Sequence, residues 1–199
     1  MNKLLITLLI LLSASISNAQ SFKTGAYSFG LRLAYDKTSN KLTGYFEDYT
    51  GLDEETGAPR FSCIFYIEGE VKNNQFSIST YYPFDDPSEA IEGTLTFIDD
   101  NQVAIKLSEE HGGCWNVMHF ADKEPTKFQL EKQQKWVKVS YIKSEKAFFH
   151  KDKSIDNKQK AYLIKGDFVC IEKIDGEWAY CTYFSDKTTS GWIPIKHIH

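Results

Sequence analysis

Short segments in which apolar and polar residues alternate recur along this chain, and they constrain its fold more than any other feature. Tyr27, Phe29, Leu31, Leu33 and Tyr35 occupy successive odd positions. Similar alternation follows at 42–46, 61–67 and 76–80. A period of two residues places one face of a strand in a core and the other in solvent. The pattern therefore predicts a succession of half-buried strands and no convincing helix.

Turn sequences such as "KTSNK", "KNN" and "DDNQ" separate these strands and keep their connections short. A further hairpin is predicted over 93–107, and a last strand over 114–120. Short connections favour antiparallel pairing, and a meander of about seven strands removes its exposed edges by closing. We therefore predict an all-β chain whose N-terminal part is an antiparallel, calycin-like small barrel, with a β-sandwich as the alternative.

The first twenty residues, "MNKLLITLLILLSASISNAQ", have the organisation of an export signal. Lys3 precedes an apolar run from Leu4 to Leu12, and Ser17-Asn18-Ala19 gives a small-x-small cleavage pattern. The run is shorter than the ~20 residues that span a bilayer. We therefore expect residues 1–19 to be a signal peptide, the protein to be exported to a periplasm or secreted, and no membrane span.

Charge divides the chain into two parts. Residues 20–125 carry 8 Lys and Arg against 18 Asp and Glu, a net charge of −10, whereas residues 126–199 carry 14 Lys against 9 acidic residues, a net charge of +5. This contrast predicts an acidic domain at 20–125, a linker at 126–134 and a second domain at 135–199. Opposite charges favour either different partners for the two domains or docking of one on the other. Within the linker, "FQLEKQQ" is an alternative final strand or short helix.

The C-terminal part contains spaced glycines and aromatic residues that agree as a set. They are Tyr162-Leu163-Ile164-Lys165-Gly166-Asp167, Gly176-Glu177-Trp178, Tyr183 and Gly191-Trp192-Ile193. Residues 135–199 thereby resemble the bacterial SH3 (SH3b) family. The resemblance implies a small SH3-like barrel and a binding role, often toward cell-wall or peptide ligands, rather than catalysis. The two cysteines inside the segment depart from the family pattern.

Four cysteines in an exported chain favour disulfides. A two-residue turn at Asp175-Gly176 would place Cys170 directly opposite Cys181, at a separation that a disulfide can bridge. We therefore predict Cys170–Cys181 and, by elimination, Cys63–Cys114. Four cysteines allow three connectivities, so the other pairings remain open.

Two sets of residues are candidates for binding. In the second domain, aromatic rings would contact a peptide or glycan, and the excess of lysine suits an anionic envelope polymer; this set is Tyr141, Phe148, Phe149, Trp178 and Trp192. The alternative, above all for Trp178 and Trp192, is that these rings form the core of the domain. In the first domain, an acidic loop would contact a basic toxin or wall hydrolase, which makes an inhibitor or immunity protein the alternative function. This second set is Glu47, Asp48, Tyr49, Asp53, Glu54 and Glu55.

Catalytic and metal sites are the competing interpretations. Glu109, Glu110, His111, Cys114 and His119 lie close together in the sequence and could form a thiolate pair, a zinc site or a hydrolase site. No second ligand block completes such a site, and Cys63 is available to pair with Cys114. We therefore expect no enzyme, no metal and no cofactor. No nucleic-acid motif is present, so we expect the partner to be a cell-wall or peptide ligand or a basic protein.

Overall fold

The structure is a computed structural model that describes residues 22–72, 75–185 and 187–199. The predicted signal peptide at 1–19 lies outside these residues. Within them, no helix is long and apolar enough to cross a bilayer. The helical segments are short 3₁₀ turns at Pro87–Glu89, Cys114–Asn116, Ile155–Asn157 and Ile195–His197.

Eight antiparallel strands close into a barrel in which each strand pairs with its sequence neighbours and β1 pairs with β8. They are β1 (Gly25–Tyr27), β2 (Arg32–Asp36), β3 (Lys41–Leu52), β4 (Pro59–Lys72), β5 (Gln75–Tyr81), β6 (Ile91–Asp99), β7 (Gln102–Leu107) and β8 (Thr126–Gln133). Its interior is filled with fully buried rings, among them Phe46, Phe65, Phe76, Phe120 and Phe128. The predicted all-β fold with an N-terminal antiparallel barrel is confirmed.

Three details of the barrel differ from the sequence expectation. The strand expected over 27–35 is two strands, because Phe29 and Gly30 both adopt left-handed backbone conformations and Phe29 turns outward. The strand expected over 114–120 is a 3₁₀ turn and a loop. The last barrel strand is instead β8, which agrees with the alternative of a final strand in "FQLEKQQ" within the segment expected to be a linker, so almost no chain separates the two domains.

Six further strands form a second antiparallel sheet in the order β11-β10-β14-β13-β12-β9. They are β9 (Lys138–Tyr141), β10 (Lys146–His150), β11 (Lys158–Ile164), β12 (Phe168–Asp175), β13 (Trp178–Tyr183) and β14 (Thr189–Pro194). The sheet buries its own core, which includes Phe149, Leu163, Val169 and Ile193.

The register of the β12–β13 hairpin corrects one cysteine prediction. Asp175 pairs with Trp178, so the turn is Gly176-Glu177, and the positive φ of 62° at Gly176 suits the first central position of a type II′ turn. A bulge follows near Glu172, and Cys181 therefore pairs with Ile171 rather than with Cys170. Adjacent residues of a strand point to opposite faces. The predicted Cys170–Cys181 disulfide is therefore wrong, and both cysteines are buried thiols.

The remaining pair confirms the other cysteine prediction. Cys63 on β4 is bonded to Cys114 in the loop that follows β7, and both are fully buried. The bond fastens a long loop onto the end of the β3–β4 hairpin.

The two domains pack through an apolar cluster, called here the domain junction. The barrel contributes Ala34, Tyr45 and Tyr66, and the second domain contributes Trp136, Val139, Tyr141, Phe168 and Cys170. The rings of Tyr45 and Phe168 stack in parallel with their centroids 4.4 Å apart. These barrel residues lie on the outer face of β2–β4 and are buried because the second sheet covers them.

Candidate functional site

The outer face of the second sheet carries a continuous row of aromatic and basic side chains. His150 pairs with both Lys158 and Trp192, and Tyr180 pairs with both Trp192 and Lys173. Directly paired residues of antiparallel strands lie on the same face of a sheet. The row therefore crosses β11, β10, β14, β13 and β12, and its two ends are lysines.

Neighbouring positions on the same strands widen this row into a surface, called here the aromatic–lysine face. Phe148 pairs with Tyr162 and lies two residues before His150, and Trp178 lies two residues before Tyr180. The face consists of Phe148, His150, Tyr162, Trp178, Tyr180 and Trp192 together with Lys146, Lys153, Lys158 and Lys173. Apart from the buried His150, its rings are partly exposed, Tyr162 the most at 48%, whereas Ala147, Phe149 and Ala179 on the opposite side of the sheet are in the core.

The lysines lie over the rings at cation–π distances. The Nζ of Lys146 is 3.5 Å from the ring centre of Tyr162, and the Nζ of Lys158 is 4.4 Å from that of Phe148. Lys153 and Lys173 lie 5.7 and 5.9 Å from the ring centre of Trp192. The surface is therefore aromatic and positively charged.

The lysines differ in how far their charges are already neutralised. Lys153 and Lys173 both pair with Asp175, at 2.7 and 3.4 Å, and lower the pKa of that carboxyl group. Within the part of the chain that the structure describes, Lys146 and Lys158 have aromatic rings but no carboxylate within 4 Å. These two lysines are therefore the better anion ligands of the face.

A groove of about 530 Å³ borders the face beside Trp178 and Lys153, with Ile155 and Lys196 on its other walls. Trp178 is oriented by His150, whose ring meets it edge to face with centroids 5.0 Å apart. The Nδ1 of His150 is 2.9 Å from the carbonyl oxygen of Ser154, which fixes the imidazole in turn.

The five predicted aromatic residues do not form one site. Phe148, Trp178 and Trp192 share the aromatic–lysine face, but Phe149 is a core residue with 1% of its surface exposed. Tyr141 is buried at the domain junction, where its ring stacks on His199. Sequence reasoning missed Tyr180 and the facing lysines, because only the pairing of strands distant in sequence brings them together.

The predicted acidic residues lie on the β3–β4 hairpin, where several serve local structure. Tyr49 donates its hydroxyl to Glu47, and burial together with this carboxylate raises the pKa of Tyr49. Asp53 accepts from the backbone of Glu55 and pairs with Arg60 at 2.9 Å. Asp48 accepts the backbone N–H of the next residue, whereas Glu54 and Glu55 have exposed side chains.

Large apolar side chains are exposed beside this acidic hairpin. Leu52 is 71% exposed and Phe61 is 41% exposed, and Trp115, 64% exposed, follows the disulfide-bonded Cys114. Thr50 also donates to the carbonyl oxygen of Asn116 at 2.7 Å, which holds the Trp115 loop against the hairpin. This end of the barrel thus combines acidic and apolar groups.

Glu110 and His111, two of the residues that were candidates for a catalytic or metal site, make contacts that hold the loop after β7 in place. Glu110 accepts the backbone N–H groups of Phe120 and Ala121, and His111 stacks on Phe65 while its Nε2 lies 2.8 Å from the hydroxyl of Thr80. Burial lowers the pKa of His111 to about 4. Across residues 22–72, 75–185 and 187–199, no group of three or more His, Cys, Asp or Glu side chains is placed to hold a metal ion.

Comparison of the chain with protein-family models, with curated proteins and with solved structures found no match.

Proposed function

We propose that this protein is an exported, non-catalytic binding protein of the cell envelope, and that its aromatic–lysine face binds an anionic cell-wall polymer or peptide. The observation that carries the proposal is the face of partly exposed rings and lysines that extends across five paired strands. Exposed aromatic surface of this kind is unusual unless it serves binding.

The chemistry of the face suits an anionic ligand that also has an apolar surface. Rings such as Phe148, Tyr162 and Trp192 offer rigid apolar area at a small entropic cost. Lys146 and Lys158 would exchange a cation–π contact, worth about 0.5–1 kcal/mol at an exposed site, for a charged group of the ligand. The resemblance to the SH3b family supports the same assignment, because Tyr162, Trp178 and Trp192 belong both to its motif and to this face.

Sedimentation with isolated cell walls tests the proposal. We expect the protein to bind at low salt and the bound fraction to fall as salt is raised, because ionic strength screens exposed charges. Changing Lys146 and Lys158 together to Gln should weaken binding about tenfold or more, since hydrogen bonds to charged groups contribute about 1.5–3 kcal/mol each.

A matched control uses the exposed barrel lysines, Lys127 and Lys132, changed to Gln in the same way. That double variant loses the same net charge, but it should bind like the unmodified protein. Equal losses in the two double variants would show that binding depends only on total charge. No binding of the unmodified protein at low salt would refute the proposal itself.

A second candidate function is inhibition of, or immunity against, a basic wall hydrolase or toxin through the acidic barrel. It is supported by the β3–β4 hairpin and the loop that the disulfide fastens to it, which together expose Leu52, Trp115, Glu54 and Glu55. A surface that combines carboxylates with exposed apolar side chains suits a basic enzyme, because complementary charge increases the association rate and exposed apolar anchors contribute affinity.

The assay is inhibition of basic lysozyme-type and amidase-type enzymes at low salt. Changing Leu52 and Trp115 to Ser should abolish inhibition, whereas Ile174→Ser, at a position 52% exposed on the second domain, should not. Failure of the unmodified protein to inhibit any of these enzymes would remove the candidate.

A further inference from the structure

A second cleft, whose charged groups are mainly acidic, lies between the barrel and the second domain. Its cavity volume is about 430 Å³, within the usual range of small-ligand sites. The barrel contributes Glu68 and Tyr81, and the loop after β5 contributes Phe84 and Asp85. The second domain contributes Tyr141 and His199. The cleft therefore exists only while the two domains are docked.

The aromatic groups of this cleft are fixed by mutual packing. Tyr141 stacks on His199 in parallel with centroids 4.4 Å apart, and Phe84 meets the Tyr141 ring edge to face at 5.4 Å. Tyr81 packs edge to face on the buried Tyr66 at 5.6 Å. Burial and the neighbouring Glu68 carboxylate raise the pKa of Tyr81, so its hydroxyl stays protonated.

Phe84 has an unusual conformation for its position at the rim. Its φ is +78°, in the left-handed region that residues other than glycine rarely adopt, and 46% of its surface is exposed. Such strain persists only where surrounding structure imposes it, and it concentrates at functional sites. Here it keeps an aromatic ring at the edge of the cleft instead of in a core.

The charged groups of the cleft are predominantly acidic. Glu68 approaches the Nε2 of His199 at 3.4 Å, and for Asp85 no ion pair within 4 Å is found among the residues described. Two lysines lie nearby. Lys138 donates to the carbonyl oxygen of His199, and Lys165 lies 4.4 Å from the Phe84 ring centre and 3.7 Å from Glu145.

We propose that this cleft binds an alkylammonium group, such as the side chain of a lysine-bearing peptide, between the Glu68 and Asp85 carboxylates and the rings of Tyr81, Phe84 and Tyr141. Aromatic faces attract cations through the negative charge of their π systems, and a carboxylate adds a charge-assisted hydrogen bond. The site is distinct from the aromatic–lysine face, and its ligand has the opposite charge.

The test is a titration of the full-length protein with N-acetyl-lysine methylamide, followed by NMR of the aromatic ring protons. N-acetyl-norleucine methylamide, which has a similar apolar side chain without the charge, is the control ligand. We expect the lysine derivative to bind about tenfold or more tightly than the norleucine derivative and to shift the signals of Tyr81, Phe84 and His199. Equal binding of the two compounds, or no shift of these signals, would overturn the proposal.

Two conservative variants place the binding in the cleft. Asp85→Asn and Glu68→Gln should each weaken lysine binding about tenfold, whereas Glu131→Gln on the exposed part of β8 should leave it unchanged. Phe84→Leu keeps the site apolar and removes the ring, and it should also weaken binding. Near-UV circular dichroism verifies that each variant is folded. Unchanged binding in folded Asp85→Asn and Phe84→Leu would contradict this location even if Glu68→Gln disturbed the packing of His199.

Discussion

The contact between Val139 and the barrel offers a direct test of how the domains are held together. Val139 lies on β9, which is the edge strand of the second sheet, and it is fully buried. Its backbone N–H donates to the Thr43 hydroxyl at 2.8 Å, and its carbonyl oxygen accepts from the Tyr66 hydroxyl at 2.8 Å. Side chains of the barrel thus satisfy backbone groups that an edge strand leaves unpaired.

Removing either hydroxyl should therefore be costly. Tyr66→Phe leaves the buried Val139 carbonyl oxygen without this donor, and Thr43→Val leaves its N–H without this acceptor, while side-chain volume changes little. A buried polar group that loses its partner costs about 1–3 kcal/mol. We expect each variant to lower the free energy of unfolding by that amount.

Urea denaturation followed by circular dichroism and tryptophan fluorescence measures this loss. Tyr162→Phe is the matched control, because Tyr162 is 48% exposed on the outer face of the second sheet. Substitutions at such positions usually change stability by no more than about 0.5 kcal/mol. If Tyr66→Phe and Thr43→Val fell within that same range, the junction would not depend on these hydrogen bonds and the reasoning would be refuted.

Three further predictions concern the cysteines and the partly buried His111. The Cys63–Cys114 disulfide joins residues that are 51 positions apart, so its reduction should lower the free energy of unfolding by about 4 kcal/mol through loop-closure entropy. Urea denaturation with and without reductant measures this loss, and an unchanged midpoint would contradict the prediction. Cys170 and Cys181 are buried, and burial raises the pKa of both thiols, so an alkylating reagent should modify them only after denaturation. Mass spectrometry that found the two cysteines linked by a disulfide would contradict the register of the β12–β13 hairpin. Burial lowers the pKa of His111 in the folded protein to about 4, below its ordinary value of 6.5. Between these two pH values the unfolded chain binds a proton at His111 and the folded protein does not, so the free energy of unfolding should fall as the pH decreases from about 6.5 toward 4. His111→Gln should remove this part of the pH dependence, and an NMR titration midpoint near 6.5 in the folded protein would exclude it.

Period-two alternation located most barrel strands because the barrel has a filled interior and a largely solvated exterior. It failed at Phe29, where alternation continues through residues whose left-handed backbone breaks the strand. It left β8 undecided between a linker, a strand and a short helix, because Phe128 and Leu130 are the only apolar residues of this strand, which closes the barrel. A strand that is exposed along most of its length gives only a weak sequence signal.

The cysteine error shows how sensitive a face assignment is to register. The turn is one residue later than "Asp175-Gly176" suggests, and a bulge near Glu172 changes the register again. Cys170 consequently packs in the domain junction, whereas Cys181 packs in the core of the second sheet. Neither the turn nor the bulge has a sequence signal strong enough to decide a single-residue shift.

The candidate site was predictable in type but not in arrangement. Alternation alone separates Phe148 from Phe149, since adjacent strand residues point to opposite faces. It does not tell which of them faces the core. The row from Lys158 through Trp192 to Lys173 depends on the order of the strands in the sheet, which short sequence motifs do not specify.

The contrast in charge between the two halves contributes little to the contact between them. If the acidic and basic parts attracted each other, their contact would contain ion pairs, but its centre consists of Tyr45, Tyr66, Phe168 and other apolar side chains. Within the described residues, one ion pair, between Glu68 and His199, crosses it. The domains are therefore held mainly by buried apolar area and by the hydrogen bonds of Val139. Most of the lysines of one domain and the carboxylates of the other remain on the outside, where their opposite charges can act on different partners.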